Sequence, residues 1–179
     1  MICMNHYDSP LGRLLLECDG MGITGLWFLD AKKLAADRSD TNAVVRDNAF
    51  FSQAKQWLDI YFTGRDPGFM PQLHLTGTPF RIRVGEIMCG IPFGKTISYG
   101  EIAARIARER GIARMSAQAV GGAVGHNPIG IIVPCHRVVG ANGDLTGYGG
   151  GIQRKVALLR NEGADMQEFC YPKKGRKSR

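Results

Sequence analysis

No apolar run in the chain approaches membrane-spanning length, so a helical membrane span is not expected. The amino end lacks the basic stretch and following apolar region of a secretory leader, and export is not expected either. The five cysteines, Cys3, Cys18, Cys89, Cys135 and Cys170, are odd in number and irregularly spaced, with no CxxC pair among them. That pattern suggests neither a disulfide framework nor a zinc cluster. Reduced thiols and no export signal point to the cytoplasm. No internal repeat is visible, so a repeat array is not expected.

What is present fits one ordinary domain or two small ones: 179 residues, with apolar content ample for a packed core. The formal net charge of +7 favours a polyanionic partner. Much of it lies in Lys173-Lys174-Gly175-Arg176-Lys177-Ser178-Arg179, a run expected to be solvated and disordered. Without that run the charge is nearly balanced, so charge supports nucleic-acid binding only weakly.

The first part reads as β-rich. Leu14 to Cys18 and Ile23 to Phe28 are short apolar runs separated by the turn-forming Asp19-Gly20-Met21-Gly22, which predicts a hairpin. Asn48 to Phe62 is apolar at helical spacing through Phe51, Ala54, Trp57, Leu58 and Phe62, with Asn48 as N-cap. Thr78 and Pro79 open a helix expected to run to about Gly90, because proline at the first helical position loses no hydrogen bond. Tyr99 to about Arg108 and Ser116 to about Gly125 read as two helices flanking a turn. Gln153 to Glu162 reads as a last amphipathic helix through Val156, Leu158 and Leu159.

The chemistry concentrates in Ile131-Ile132-Val133-Pro134-Cys135-His136-Arg137-Val138-Val139. A soft nucleophile sits beside a base at the end of an apolar run, and Pro134 fixes the angle at which the chain leaves it. The thiolate is the reactive form, and an unperturbed cysteine is ionised to only a few per cent at neutral pH. By adjacency alone a small buried structural cysteine is the commoner case. The helix from Ser116 is informative for what it lacks. A reader of base edges normally carries several long polar side chains, and here Gln118 is the sole one. Small residues such as Ala119 and Gly122 suit either close approach to DNA or tight packing inside the protein.

Pro134-Cys135-His136-Arg137-Val138 resembles the active-site signature of the O6-alkylguanine-DNA alkyltransferases, and the likeness runs in order from about Thr78 to Gly163. Thr96-Ile97-Ser98-Tyr99-Gly100-Glu101-Ile102-Ala103 is similar to the start of that family's helix-turn-helix. Ala119-Val120-Gly121-Gly122-Ala123 with Asn127-Pro128 resembles its recognition helix and the bend after it. Thr146-Gly147-Tyr148 and Arg154-Lys155 through Leu158-Leu159 to Glu162-Gly163 resemble the loop and helix that close its pocket. The resemblance implies an α/β fold class: a small RNase H-like α/β N-terminal domain over 1–75, then a mostly helical helix-turn-helix (winged-helix-like) domain over 76–166. Residues 167–179 are then expected to be a free basic tail.

The same resemblance implies a suicidal repair protein that flips O6-alkylguanine out of duplex DNA and takes the alkyl group onto Cys135. His136 would take the thiol proton through a water, and Glu162 would orient and charge the imidazole. Tyr99 would contact the phosphate beside the flipped nucleotide and give a proton to the departing base. Asn127 would brace the recognition helix against the Cys135 segment, although an asparagine before proline also serves as a turn residue. Pro134, Val138, Tyr148 and Gly149 would line the pocket. Arg81, Tyr99, Gly100, Ser116, Gln118, Ala119 and Gly122 would face DNA. The expected partner is double-stranded DNA bearing O6-alkylguanine, with O4-alkylthymine a further substrate left open. A monomer with no cofactor and no metal is expected. Cys3, His6 and Cys18 do not fit the spacing of the zinc site that some members carry.

The chain departs from the family at Gln118, where arginine is usual, and Arg114 or Arg110 is then the candidate to compensate. The turn from Ala107 to Met115 is longer than in typical members, and Gly85 replaces a common tryptophan. Three other readings are weaker. A binder that marks alkylated DNA without repairing it would lack Cys135. A Cys-His hydrolase would need an acyl-enzyme signature, and a transcriptional regulator would need a better base-reading helix.

Overall fold

The computed structural model describes residues 2–29, 44–45 and 47–171. Two compact units emerge, and neither boundary is a single cut. One comprises Met1–Thr76 with Pro128–Ile132, the other Gly77–Asn127 with Val133–Arg179.

In the first unit β1 (Cys3–Ser9), β2 (Gly12–Cys18), β3 (Ile23–Phe28) and β4 (Val44–Val45) form a sheet in the order β3-β2-β1-β4. The β1–β2 and β2–β3 pairs are antiparallel and β4 runs parallel to β1. The predicted hairpin is β2–β3. Its strand β2 buries Leu14, Leu16 and Cys18 on one face, the period of two that a half-covered strand requires. β1 lies outside the expectation, because Asn5, His6, Asp8 and Ser9 break any apolar alternation and most of its residues end half-buried.

Helix α1 (Ala49–Tyr61) covers this sheet. The Asn48 side chain caps it by accepting from the Phe51 N–H at 2.9 Å. Phe51, Ala54, Trp57 and Leu58 are buried as their spacing predicts, but the last turn buries Tyr61 rather than Phe62, which is half-buried as the C-cap. Tyr7 Oη donates to Asp59 Oδ1 at 2.7 Å, and Lys55 Nζ donates to Asn5 Oδ1 at 3.2 Å, so α1 is tied to β1. Cys3 and Cys18 face each other across β1 and β2, whereas His6 pairs with Leu15. Among the described residues no group of three His, Cys, Asp or Glu side chains is placed to hold a metal.

Pro128–Ile132 completes the unit through backbone pairing with β3. Leu26 N–H donates to Pro128 O and Gly130 N–H to Leu26 O, each at 2.9 Å. Ile129, Ile131 and Ile132 are buried, and the segment turns at Ile131. Ile131 has φ 65°, and Ile132 N–H reaches back across it to Gly130 O at 2.7 Å. A β-branched residue there holds about 1–3 kcal/mol of backbone strain.

The second unit contains α2 (Pro79–Cys89), α3 (Tyr99–Arg110), α4 (Ala117–Gly125) and α5 (Ile152–Asn161), with a short parallel pair, β5 (Ile97–Ser98) and β6 (Val138–Val139). Thr78 caps α2 with Pro79 in its first turn. Ser98 and Glu101 form a reciprocal capping box on α3. α3 runs two residues past the expected Arg108, so part of the long connection is about half a helical turn. Gly111, at φ 64°, ends it in the left-handed region, and Ile112 N–H donates to Ala107 O at 3.0 Å. Ser116 then caps α4, which packs on both α2 and α3, a helix-turn-helix arrangement. An Arg83 fork to Glu109, at 2.6 and 2.8 Å, ties α2 to α3. No helix among the described residues is long and apolar enough to cross a membrane.

Residues 167–170, expected to belong to a free tail, are held in the fold. Cys170 N–H donates to Gly143 O and Leu145 N–H to Cys170 O, both at 3.0 Å. Phe169 packs against Val139, Leu145, Val156 and Leu159, and that apolar burial offsets the entropy of ordering the segment. The lysine–arginine run over 173–179 lies outside the described residues.

Candidate active site and DNA-binding face

Cys135 stands at the start of a single 3-10 turn, Cys135–Arg137. Pro134, at φ −81° and ψ 66°, makes an inverse γ-turn closed by Cys135 N–H donating to Val133 O at 2.8 Å. The proline thus sets the exit angle, and the turn brings Cys135, His136 and Arg137 out in succession from one tight bend. Cys135 is half-buried while His136 and Arg137 are buried. From α4, the Asn127 side chain donates to Val133 O at 2.8 Å, which fastens the end of that helix to the nucleophile segment.

Behind the cysteine lies a buried charge network. His136 Nε2 and Glu162 Oε1 are 2.6 Å apart, and both side chains are fully buried. Glu162 is the C-cap of α5, one residue beyond the helix that the spacing predicted to contain it. Burial alone would raise its pKa, but His136 and Arg137 more than offset this and hold it at about 2. An ionised carboxylate only accepts, so His136 Nε2 carries the hydrogen. Burial pushes the imidazole pKa down, with Arg137 and Lys155 adding to the effect and Glu162 opposing it. His136 is therefore a neutral imidazole, with Nδ1 as its proton-accepting nitrogen.

Burial pushes the Cys135 thiol up. The Asn127 side chain, Lys155 and the backbone N–H groups of Cys135 and His136 pull the other way without reversing it. The resting sulfur is thus a thiol that needs a base. Lys155, fully buried in α5, donates to Val138 O at 2.7 Å and to Thr146 O at 3.1 Å. Burial lowers its pKa to about 8, against the pull of Cys135 and Asp144. Tyr99 Oη also donates to Thr146 O, at 3.2 Å, so one carbonyl gathers the phenol and the ammonium. Burial, Cys135 and Asp144 push the Tyr99 phenol up to about 12, leaving it a neutral donor. Gly147 has φ 81°, and a Cβ there would lie 2.6 Å from Tyr99 Oη, so only glycine fits. Tyr148 is half-buried and its phenol is raised further, again by burial first. Of the other expected pocket residues, Pro134 and Val138 are buried and Gly149 is exposed.

Two family models match the chain. That of the 6-O-methylguanine DNA methyltransferase ribonuclease-like domain covers residues 2–74, and that of the DNA binding domain covers 79–164. The chain belongs to the 6-O-methylguanine DNA methyltransferase family. It is 48% identical over 162 residues to the methylated-DNA–protein-cysteine methyltransferase of Mycobacterium tuberculosis, spanning 89% of this chain and 93% of that protein. The crystal structure of the Mycobacterium tuberculosis O6-methylguanine methyltransferase superposes with a TM-score of 0.74 at 46% identity, covering 90% of this chain and 93% of that one. A second structure of the mycobacterial protein, in complex with DNA, gives a TM-score of 0.73 at 46% identity over 89% and 91% of the two chains.

In this family frame the helix-turn-helix offers an open face. Arg81, Gly100, Ser116, Gln118, Ala119 and Gly122 are all exposed, and nothing lies within 4 Å of where a Gly122 Cβ would be. The Ser116 hydroxyl is engaged as the α4 cap, accepting from Ala119 N–H at 3.3 Å. Tyr99 lies against this helix: a Cβ on Gly121 would be 3.9 Å from its ring. Of the two candidates to compensate for Gln118, Arg110 lies over the Phe80 ring at 5.5 Å, whereas Arg114 is exposed on the turn. Lys155 and Arg137 were assigned no role from sequence. The available signal was spacing: Lys155, Leu158, Leu159 and Glu162 fall at i, i+3, i+4 and i+7, on one buried stripe of α5.

Proposed function

We propose that this protein is a single-turnover DNA-repair alkyltransferase that extrudes O6-alkylguanine from duplex DNA and takes the alkyl group irreversibly onto Cys135. The single observation that carries this reading is a half-buried thiol, kept protonated, beside a neutral imidazole bonded to an ionised buried carboxylate. That is nucleophile, base and orienter. Sulfur forms a bond to the alkyl carbon as the carbon–O6 bond breaks. The thiol proton passes through a water to His136 Nδ1, Tyr99 donates a proton to the departing guanine, and solvent re-equilibrates the two. The product thioether is stable, so each molecule acts once. Extrusion costs a few kcal/mol, less for a damaged pair, and the small residues of α4 allow the close approach it needs. The protein acts in the cytoplasm as a monomer without a cofactor, and O4-alkylthymine is a second substrate to be assayed. Incubation with O6-methylguanine duplex should leave one methyl group on the Cys135 peptide by mass spectrometry. Label on any other residue, or repeated turnover, would overturn the reading.

Gln118 gives a prediction particular to this chain. Glutamine can hydrogen-bond an orphaned cytosine but lacks the charge and stacking plane of a guanidinium. Gln118→Arg is expected to raise the rate on duplex DNA severalfold and to steepen the log–log salt dependence by about one unit. The rate on free O6-benzylguanine, which needs no extrusion, should barely change. If Arg114 already fills the role, Gln118→Arg will be nearly neutral and Arg114→Ala costly on duplex alone. Equal effects on duplex and free base would show that position 118 shapes the pocket instead.

A further inference from the structure

Arg137 follows the Cys135–His136 pair, yet the resemblance gives it no function. It is buried, and its guanidinium forks onto Glu162: Nε donates to Oε2 at 2.9 Å and Nη2 to Oε1 at 3.1 Å. The remaining terminal nitrogen, Nη1, donates to Ile91 O at 2.6 Å, and the guanidinium lies 5.7 Å from the Phe93 ring centroid. Gly94 N–H donates to Glu162 Oε2 at 3.0 Å. Arg137 is therefore anchored in the Ile91–Gly94 segment and meets the same carboxylate oxygen, Oε1, that His136 Nε2 meets.

We propose that Arg137 is a positioning residue for the alkyl-transfer site: its fork fixes the Glu162 carboxylate against His136 and, by sharing that carboxylate, keeps the imidazole from being drawn into a permanent imidazolium–carboxylate pair. This rests on the reading above, in which His136 accepts the thiol proton. The physical reason is a competition. A lone buried carboxylate 2.6 Å from an imidazole favours the protonated ring, and a protonated ring cannot accept a proton. A guanidinium on both oxygens satisfies the negative charge first and, being always charged, does so at every working pH. The charged groups facing His136 are Glu162 at the end of α5, Lys155 from α5 and Arg137 from its own turn; burial is the largest influence against the charged ring, and removing Arg137 takes away one of the two cations that act with burial against Glu162. A lysine could restore the charge but not the fork.

The test joins an imidazole titration to a rate profile. His136 ring nitrogens are followed by NMR in wild type, Arg137→Gln and Arg137→Lys, and alkyl transfer from free O6-benzylguanine is measured from pH 5.5 to 9. In wild type His136 should be a neutral Nε2–H tautomer across that range. In Arg137→Gln the imidazole should be protonated at higher pH, with transfer at pH 6 cut roughly tenfold and transfer at pH 9 within about twofold of wild type. Arg137→Lys should fall between. An unmoved titration with a pH-independent loss of rate would overturn the proposal and leave Arg137 a packing residue. A moved titration with an unmoved rate profile would uphold the clamp and overturn His136 as base. Should Arg137→Gln fail to fold, the wild-type spectrum and Arg137→Lys still decide: an imidazolium at pH 7 in wild type, or a lysine variant indistinguishable from it, sinks the idea.

Discussion

Cys135→Ser should lose alkyl transfer by a factor on the order of 10⁴ or more while still binding alkylated duplex. The hydroxyl is nearly isosteric, so the inverse γ-turn at Pro134 and the Asn127 bond to Val133 stay intact. What disappears is a polarisable nucleophile whose proton a neutral imidazole can remove. Gel-shift titration alongside label transfer separates the two properties. Residual transfer by the serine variant, or loss of binding equal to loss of transfer, would break the assignment of Cys135 as acceptor.

Glu162→Gln should produce the next largest change, and in two measurements at once. The amide still accepts a hydrogen bond but no longer stabilises the imidazolium that forms when His136 takes the thiol proton, so transfer should fall on the order of 10²–10⁴-fold near neutrality. The loss should shrink at alkaline pH, where the thiol ionises unaided. Stability should fall by about 3–5 kcal/mol, because the buried Arg137 guanidinium loses its counter-charge. In wild type the Glu162 pKa is depressed from 4.5 to about 2 on folding. A depressed carboxylate stabilises fully above its unfolded pKa, and that contribution, about 3 kcal/mol, is lost as pH falls from about 4.5 towards 2. Denaturant melts across that range should show the loss in wild type and not in Glu162→Gln. A variant with wild-type acid sensitivity would place the titrating group elsewhere.

Much of this site was legible in the residues. Cys135, His136, Glu162, Tyr99 and Asn127 are short-range or family-register signals, and caps such as Asn48 and Thr78 announce their helices through local hydrogen bonding. Other features depend on long-range partners. β1 carries Asn5, His6 and Asp8, and becomes a strand because β2 and β4 pair with both its edges. Lys155 and Arg137 are chemically surface residues, and ordinary propensity places them in solvent. Their burial follows from carbonyls and a carboxylate supplied by residues up to 46 positions away, as between Arg137 and Ile91. The charge of the last residues hides the apolar Phe169, whose packing, with the Cys170 backbone bonds, holds residues 167–170 in the fold.

The passage of Pro128–Ile132 into the first unit has a consequence for how such a protein can be cut or inherited. Expression of residues 1–76 alone would remove the backbone partners of Leu26. Expression of 77–179 alone would carry Ile129, Ile131 and Ile132 without the β3 pairing that this segment makes. Each half then presents either an unpaired strand edge or uncovered aliphatic surface, both of which favour aggregation. The boundary near residue 76 therefore marks a change of architecture rather than a seam. A crossover there can exchange the halves only where the five-residue segment and β3 stay complementary, so a working chimera must move Pro128–Ile132 together with residues 1–76.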